Sequence, residues 1–328
     1  MKKWKTNELI NTVTTMSVEE ILSLDRAVKS RIGELDGSII IQNKSDSIKA
    51  CPGCGSINFK KIGMRNGKQR FKCNESLCGR TFTPLTNTPF ARLRYPDKHL
   101  ANAKCMIEGL MVRQAADKMG VHRNTAFRWR HRFLRQIETI QPTQLNGIVE
   151  ADETFFKESY KGQKTTGKKG GNPAVLGRKA KHRGMPAEKR GLSREQIPVL
   201  VARDRGTGKT LSLVIATTNA NDISNAILPI LARDAELISD SAPAYRKMAK
   251  KHGIYLRVVP RSKKHKTSGA LHINNVNAYD SRLKGWMFRF RGVATKYLSN
   301  YLGWHRLLDE QVNGKKMPAK KFLTVALG

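Results

Sequence analysis

Four cysteines within residues 51–78 constrain this chain more than any other feature. They form two close pairs, Cys51-Pro52-Gly53-Cys54 and Cys73-Asn74-Glu75-Ser76-Leu77-Cys78. Tetrahedral zinc takes four thiolates, and two tight turns joined by a β-hairpin supply them at this spacing. Phe59, Phe71 and Phe82 are the only large aromatic side chains between Lys49 and Leu85, enough for a small core around such a knuckle. The alternatives are two disulfides or four unconnected thiols, and in a reducing compartment the cluster suggests metal. Lys60, Lys61, Arg65, Lys68, Arg70, Lys72 and Arg80 tilt the segment toward nucleic acid. Cys105 stands apart in a helical pattern and reads as a core residue.

The charge balance points the same way. The 328 residues include 61 Lys and Arg against 26 Asp and Glu, a formal net charge of +35. Such an excess describes partners rather than fold, and it favours a polyanion, DNA or RNA. It argues against an acidic or weakly charged metabolic enzyme. The longest apolar runs, Ile197–Ala202 and Ala226–Ala232, fall far short of the ~20 residues of a spanning helix. No apolar stretch follows the lysines near the start, so no signal peptide is expected.

Ser17 and Glu20 form a capping box ahead of Ile21, Leu22, Val28, Ile32 and Leu35, which recur at helical spacing. Residues 36–48 read as a polar linker, so residues 1–48 are an N-terminal helix and linker. The cysteine segment spans 49–85. A helical module spans 92–140. Within it, Val112–Met119 is a helix, Gly120 supplies a left-handed cap, and a second helix begins at Arg123. Val121, Ala126, Phe127 and Trp129 offer apolar packing, and Arg123, Asn124, Arg128, Arg130 and Arg132 are expected to face outward. A basic second helix with Asn near its start suits a major groove, which makes this a helix-turn-helix candidate. The alternative is a helical hairpin with a solvated basic face.

From residue 146 to 312 strands and helices alternate. Ile148–Phe156, Ile197–Asp204 and Thr210–Thr217 read as strands, then helix, strand, helix and strand follow to Val259. Two helices, at about 272–288 and 294–311, come next. This is an α/β layout in which an antiparallel hairpin feeds parallel strands. An insert at 157–196 carries 12 Lys and Arg against 3 Asp and Glu and reads as a mobile basic loop. Residues 313–328 read as a C-terminal tail. Gly206-Thr207-Gly208-Lys209-Thr210 imitates the end of a phosphate-binding loop, but Arg203 stands where the motif needs its first glycine. The segment joins two strands, so it reads as a hairpin turn and no nucleotide cofactor is expected.

Acids interrupt this apolar pattern at two places. Strand alternation puts Glu150 and Asp152 on one face and Glu153 on the other. Asp240 directly follows an apolar strand and precedes a helix, at the carboxyl end where open sheets bind ligands. Two such acids on adjacent strands can hold divalent metal through hard oxygens. The plainer alternative makes Asp240 a helix N-cap and Asp152 a surface residue. Asn277 and Lys284, seven apart, share one helix face.

With these residues in view, the chain resembles a DDE-type transposase of a bacterial insertion sequence. It is similar to the group with an N-terminal zinc ribbon and helix-turn-helix ahead of an RNase H-like catalytic domain. The resemblance rests on Cys51–Cys78, Ala151–Thr154, Ser239–Tyr245 and His272–Trp286. It implies that Asp152 and Asp240 are metal ligands, that Asn277 occupies the third position, often Glu, and that Lys284 follows seven residues on. It implies two Mg²⁺ ions (or Mn²⁺) at that site, with Asp152 bridging both, and one structural Zn²⁺ on Cys51, Cys54, Cys73 and Cys78. The partners implied are double-stranded DNA, as terminal inverted repeats and target, and further copies of the chain. The chemistry implied is phosphodiester hydrolysis and transesterification, without membrane association, in the bacterial cytoplasm at the nucleoid. Two rivals remain: a DNA-binding regulator with a dead α/β part, favoured by Asn at the third position, and a junction-resolving nuclease, which leaves the N-terminal modules unexplained.

Overall fold

The computed structural model describes residues 6–159, 161, 193, 195–260, 269–310 and 317–328. It divides into two compact units, Met1–Phe133 with Met317–Gly328, and Leu134–Lys316. Most of the 157–196 insert lies outside the described residues. No helix among the described residues is long and apolar enough to cross a membrane.

The first unit begins with helices α1 (Thr6–Thr14) and α2 (Val18–Asp46). The capping box opens α2: the Ser17 amide donates to Glu20 Oε2 at 2.8 Å, and the Glu20 amide to Ser17 Oγ at 3.3 Å. Residues 36–46 continue this helix, which corrects the expected linker. Ile40 and Ser45 are buried there, and tertiary packing against α3 and the cysteine sheet supplies what the polar composition lacks. Strands β1 (Phe59–Arg65), β2 (Lys68–Cys73) and β3 (Thr81–Phe82) form an antiparallel sheet. Phe59, Phe71 and Phe82 pack there with ring centroids 5.3–5.6 Å apart.

Three helices follow, α3 (His99–Ile107), α4 (Val112–Met119) and α5 (Arg123–Glu138), of which α5 passes into the second unit at Leu134. Gly120 ends α4 at φ +60°, and its amide reaches the Ala116 and Asp117 carbonyls. Cys105, Ala115, Ala116, Met119, Ala126 and Trp129 make the core between these helices. The expected tail holds a further helix of this unit, Ala319–Leu327, whose Phe322, Leu323, Ala326 and Leu327 are buried and which packs on α3. Its apolar residues recur on one face, and that face is covered.

The second unit is a mixed α/β domain. Its strands β4 (Ile148–Lys157), β5 (Gln196–Asp204), β6 (Thr210–Val214), β7 (Glu236–Ser239) and β8 (Leu256–Val258) lie in the order β6-β5-β4-β7-β8. The first three are antiparallel neighbours; β4–β7 and β7–β8 are parallel. Thus a hairpin feeds parallel strands, as the pattern predicts. The segment resembling a phosphate loop is the β5–β6 turn, where Asp204 Oδ1 accepts from the Gly206 and Thr207 amides. Helices α6 (Ala220–Ile227) and α7 (Pro243–His252) cover one face, where Val149, Ala151, Leu200, Ile223, Ile227, Leu237, Tyr245 and Met248 share a core. Helix α8 (Asn274–Phe288) lies against β4 and β5, and α9 (Leu298–Asp309) against β6 and α8. Trp286, Tyr301 and Trp304 interlock between α8 and α9. Helix α10 is Ala319–Leu327 of the first unit.

Candidate functional site

Asp152, within β4, and Asp240, just past the end of β7, lie on neighbouring strands. The parallel ladder of β4 and β7 ends with Ala151 opposite Ser239, so the next residue of each strand is an acid. Asp240 is not the helix cap of the plainer alternative. That position belongs to Ala242, whose amide donates to Asp240 Oδ1 at 2.9 Å. The Asp152 carboxylate accepts from the Glu153 amide at 2.8 Å. Burial raises the Asp152 pKa, and the charge of Asp240 raises it further; the Glu153 amide and Lys284 oppose both.

Alternation along β4 sorts its acids as the sequence predicts. Glu153 turns to the α7 face, where the Tyr245 hydroxyl donates to its carboxylate at 2.6 Å. Burial first, then Asp152 and Asp240, push its pKa to about 7. Glu150 turns to the α8 face and is fully buried. Its carboxylate accepts from the Asn275 amide, Asn275 Nδ2, the Val276 amide and Arg205 Nε at 2.5–2.9 Å. Arg205 also donates to the Ala270 and His272 carbonyls at 2.7 and 2.6 Å. This network, which sequence reasoning missed, pins the start of α8 two residues from Asp152. Its only trace in the sequence is a second acid within an apolar strand.

Helix α8 carries the remaining residues. Asn277 is exposed, and its backbone amide continues the helix to the Ile273 carbonyl. Lys284 is exposed on the same helix and lowers the pKa of both Asp152 and Asp280. Asp280 is buried, and its Oδ1 has no hydrogen-bond partner. Burial, then Asp152, push its carboxyl to about 7; Lys284 opposes and Glu153 adds to the rise. A partnerless buried carboxylate oxygen beside like charge is one oxygen that a hard divalent cation could take as a ligand, although among the described residues these acids do not close into a three-ligand group. The sequence puts the third ligand at Asn277, and the structure adds a carboxylate one turn on.

In the first unit the four cysteine sulfurs lie within 4.8 Å of one another, all as free thiols. Cys51 and Cys78 Sγ are 3.8 Å apart, Cys54 and Cys73 Sγ 3.6 Å. Disulfides are thereby excluded, since a bonded pair sits at about 2.05 Å. A tetrahedron of sulfurs around zinc, at about 2.3 Å from the metal, has edges of about 3.8 Å. Burial opposes the Cys51 thiolate, yet the Gly53 and Cys54 amides outweigh it and draw the pKa to about 7. The Glu75 amide favours the Cys73 thiolate, yet burial and the neighbouring sulfurs push that pKa to about 12.

On α5, Arg123, Asn124 and Arg128 are exposed as expected, and the Asn124 amide donates to His122 Nδ1 at 3.2 Å. Arg130 and Arg132 are not outward. Arg130 is buried and donates to the Leu110 carbonyl at 2.6 Å; Arg132 donates to the Ala91 carbonyl at 2.6 Å. Phe127, expected to pack, is 40% exposed. Ala126, Trp129, Arg130 and Phe133 follow i, i+3, i+4, i+7, so the helix period buries Arg130 and turns Phe127 out.

Residues 144–304 match the model of the ISXO2-like transposase domain, and residues 103–138 that of a homeodomain-like domain. No curated protein matches the chain. Among solved structures, the HTLV-2 integrase catalytic core domain in complex with magnesium is similar at 10% identity and TM-score 0.29, over 54% of this chain and 94% of that one. A simian T-cell lymphotropic virus intasome, solved with the PP2A regulatory subunit B56 gamma, is similar at 12% identity and TM-score 0.30, over 65% and 69%. A pre-cleavage Mos1 transpososome is similar at 12% identity and TM-score 0.20, over 70% and 79%. Residues 144–304 thus carry an ISXO2-like transposase domain.

Proposed function

We propose that this protein is the transposase of an insertion sequence, binding the terminal inverted repeats and carrying out metal-dependent strand cleavage and strand transfer. The observation that carries the reading is the parallel pairing of β4 with β7, from which Asp152 and Asp240 emerge on neighbouring strands, inside the matched transposase domain. Asp152, Asp240 and Asn277 would hold the Mg²⁺ ions through their side-chain oxygens. Bound there, the ions supply activation of the attacking oxygen and charge neutralisation at the leaving oxygen. Lys284 would contact the DNA phosphate, and its charge offsets Asp152 and Asp280. Glu150 holds α8 to β4 and so sets the distance between the third position and Asp152.

Residues 49–85 act as a zinc ribbon on one Zn²⁺, and residues 92–140 as a helix-turn-helix reading the inverted repeats through Arg123, Asn124 and Arg128. Residues 146–312 are the RNase H-like catalytic domain, working on DNA in the bacterial cytoplasm. The test is a strand-transfer assay with the element's own ends and Mg²⁺. Asp152→Ala, Asp240→Ala and Asn277→Ala abolish product while DNA binding persists, and Asn277→Asp keeps partial activity. Loss of transfer with all end binding retained in the wild type would leave a DNA-binding regulator instead.

A second reading of the third position has its own support: the buried, partnerless Oδ1 of Asp280. If Asp280→Ala is inactive and Asn277→Ala is active, the ligand is Asp280, one helical turn on.

A further inference from the structure

Phe288, the last residue of α8, holds its ring 83% exposed. Its aromatic neighbours do not: Trp286 and Phe290 pack with Tyr301 and Trp304 in one cluster. The helix period explains the difference. At 100° per residue Phe288 lies within about 20° of Asn277 and about 40° of Lys284, so the three share one stripe of α8. Along the axis it stands about 6 Å beyond Lys284 and about 16 Å beyond Asn277. The setting is cationic. From Lys284 to Lys296 the chain adds Arg289 and Arg291 and has no acid. All four of these side chains are exposed. The loop that follows Phe288 is tied down. Lys161 Nζ donates to the Arg291 and Gly292 carbonyls at 3.4 and 3.0 Å, and the Thr295 amide donates to the Ser159 carbonyl at 2.8 Å.

An exposed ring among cations fits single-stranded nucleic acid, in which the cations take the backbone and the ring takes a base face. A base inside a duplex is stacked on its neighbours and offers the ring no face, so the occupant has to be a base that has left the stack. An apolar protein surface would cover the ring and leave the surrounding cations unmatched. We propose that Phe288 is a stacking site for an unpaired nucleobase of DNA, with Lys284, Arg289, Arg291 and Lys296 on the adjoining phosphates. The site rests on the reading of Asp152, Asp240 and Asn277 as the place where DNA is cut, because that reading lays the strand along this stripe. Its distance from Asn277 puts the stacked base along the strand from the reacting phosphate and not at it. Phe288 is therefore a positioning residue that holds the strand.

The experiment gives the full-length protein DNA ending in the element's inverted repeat, with 5-iododeoxyuridine at the terminal positions, either paired or mismatched. Irradiation of the mismatched DNA cross-links it to Phe288. It does not cross-link Tyr255, a 65% exposed aromatic beside the end of β8 remote from Asp240. Phe288→Ala weakens binding of the mismatched DNA about 10-fold or more and leaves binding of the paired DNA unchanged. Phe288→Trp restores the affinity and Phe288→Leu does not. Should Phe288→Ala fail to fold, the wild-type cross-link decides. Mismatched DNA bound without a cross-link at Phe288 overturns the proposal. So does equal loss on both DNAs, rescue by Leu equal to that by Trp, or undiminished binding in the folded Phe288→Ala, which would leave the ring to a protein partner. Strand transfer by the wild type without the cross-link sinks the stacking site alone. The cross-link without any strand transfer sinks the transposase reading and leaves the site standing.

Discussion

Glu150 accepts four hydrogen bonds without any contact with solvent, and three of them come from the first turn of α8. A carboxylate at a helix N-terminus also meets the favourable end of the helix dipole. Glu150→Ala leaves the Arg205 guanidinium and two helix amides facing an apolar gap, and should cost about 3–5 kcal/mol in a denaturant titration. Glu153 behaves differently. Its carboxyl titrates at about 7 in the fold against an ordinary 4.5, so between those values the folded chain holds a proton that the unfolded chain has released. Stability without metal therefore falls as pH rises through that window, and is unaffected by this group below it. Glu153→Gln should raise the metal-free melting temperature by roughly 2–4 °C at pH 8 and leave it unchanged at pH 4. Equal shifts at both values would show that its burial, not its charge, is what the substitution relieves.

Helix α5 shows what an element does with its charges. Its exposed Arg123 and Arg128 are available to phosphate and base edges, while Arg130 ties the helix to the Leu110 carbonyl ahead of α4. Arg128→Ala should weaken binding to the inverted repeat with an unchanged melting temperature. Arg130→Ala should lower the melting temperature first, because a buried carbonyl loses its donor and the helix its packing. At the other end of α5, Gly303 of α9 sits where a Cβ would come within 2.8 Å of Glu138 Cα. Backbone cannot yield as a side-chain tip does, so Gly303→Ala should destabilise the domain by about 1–3 kcal/mol, read as a lower denaturation midpoint.

Across the whole molecule the net charge of +35 governs encounter with DNA. Binding should fall steeply with salt, by about 10³-fold or more between 50 and 200 mM if six to ten phosphates are met. Removing lysines and arginines from residues 157–196 should flatten that slope while the preference for the inverted repeat survives. On the proposed zinc assignment, chelation should act elsewhere and unfold the small sheet around Phe59, Phe71 and Phe82. Near-ultraviolet dichroism and proteolysis within 49–85 would report it, with the α/β domain still folded.

Much of this protein was legible along the chain because its signals are local. Paired cysteines, a glycine cap, alternating strands and an acid ending an apolar run each depend on neighbours a few residues away. These features predicted the cysteine cluster, the α4–α5 turn and the succession of strands that carries Asp152 and Asp240. Other features were decided only by tertiary contacts. The helical state of residues 36–46 came from burial of Ile40 and Ser45, and that of 319–327 from its packing on α3. Arg130 turned inward because the helix period put it beside Trp129 and Phe133, where a distant carbonyl could receive it. The binding of Glu150 to the start of α8, and the burial of Asp280 within reach of the Asp152 charge, join residues more than a hundred positions apart. A pattern of polarity can mark such residues as out of place, but the partner that makes burying a charge tolerable comes from another part of the chain, and only the fold brings it there.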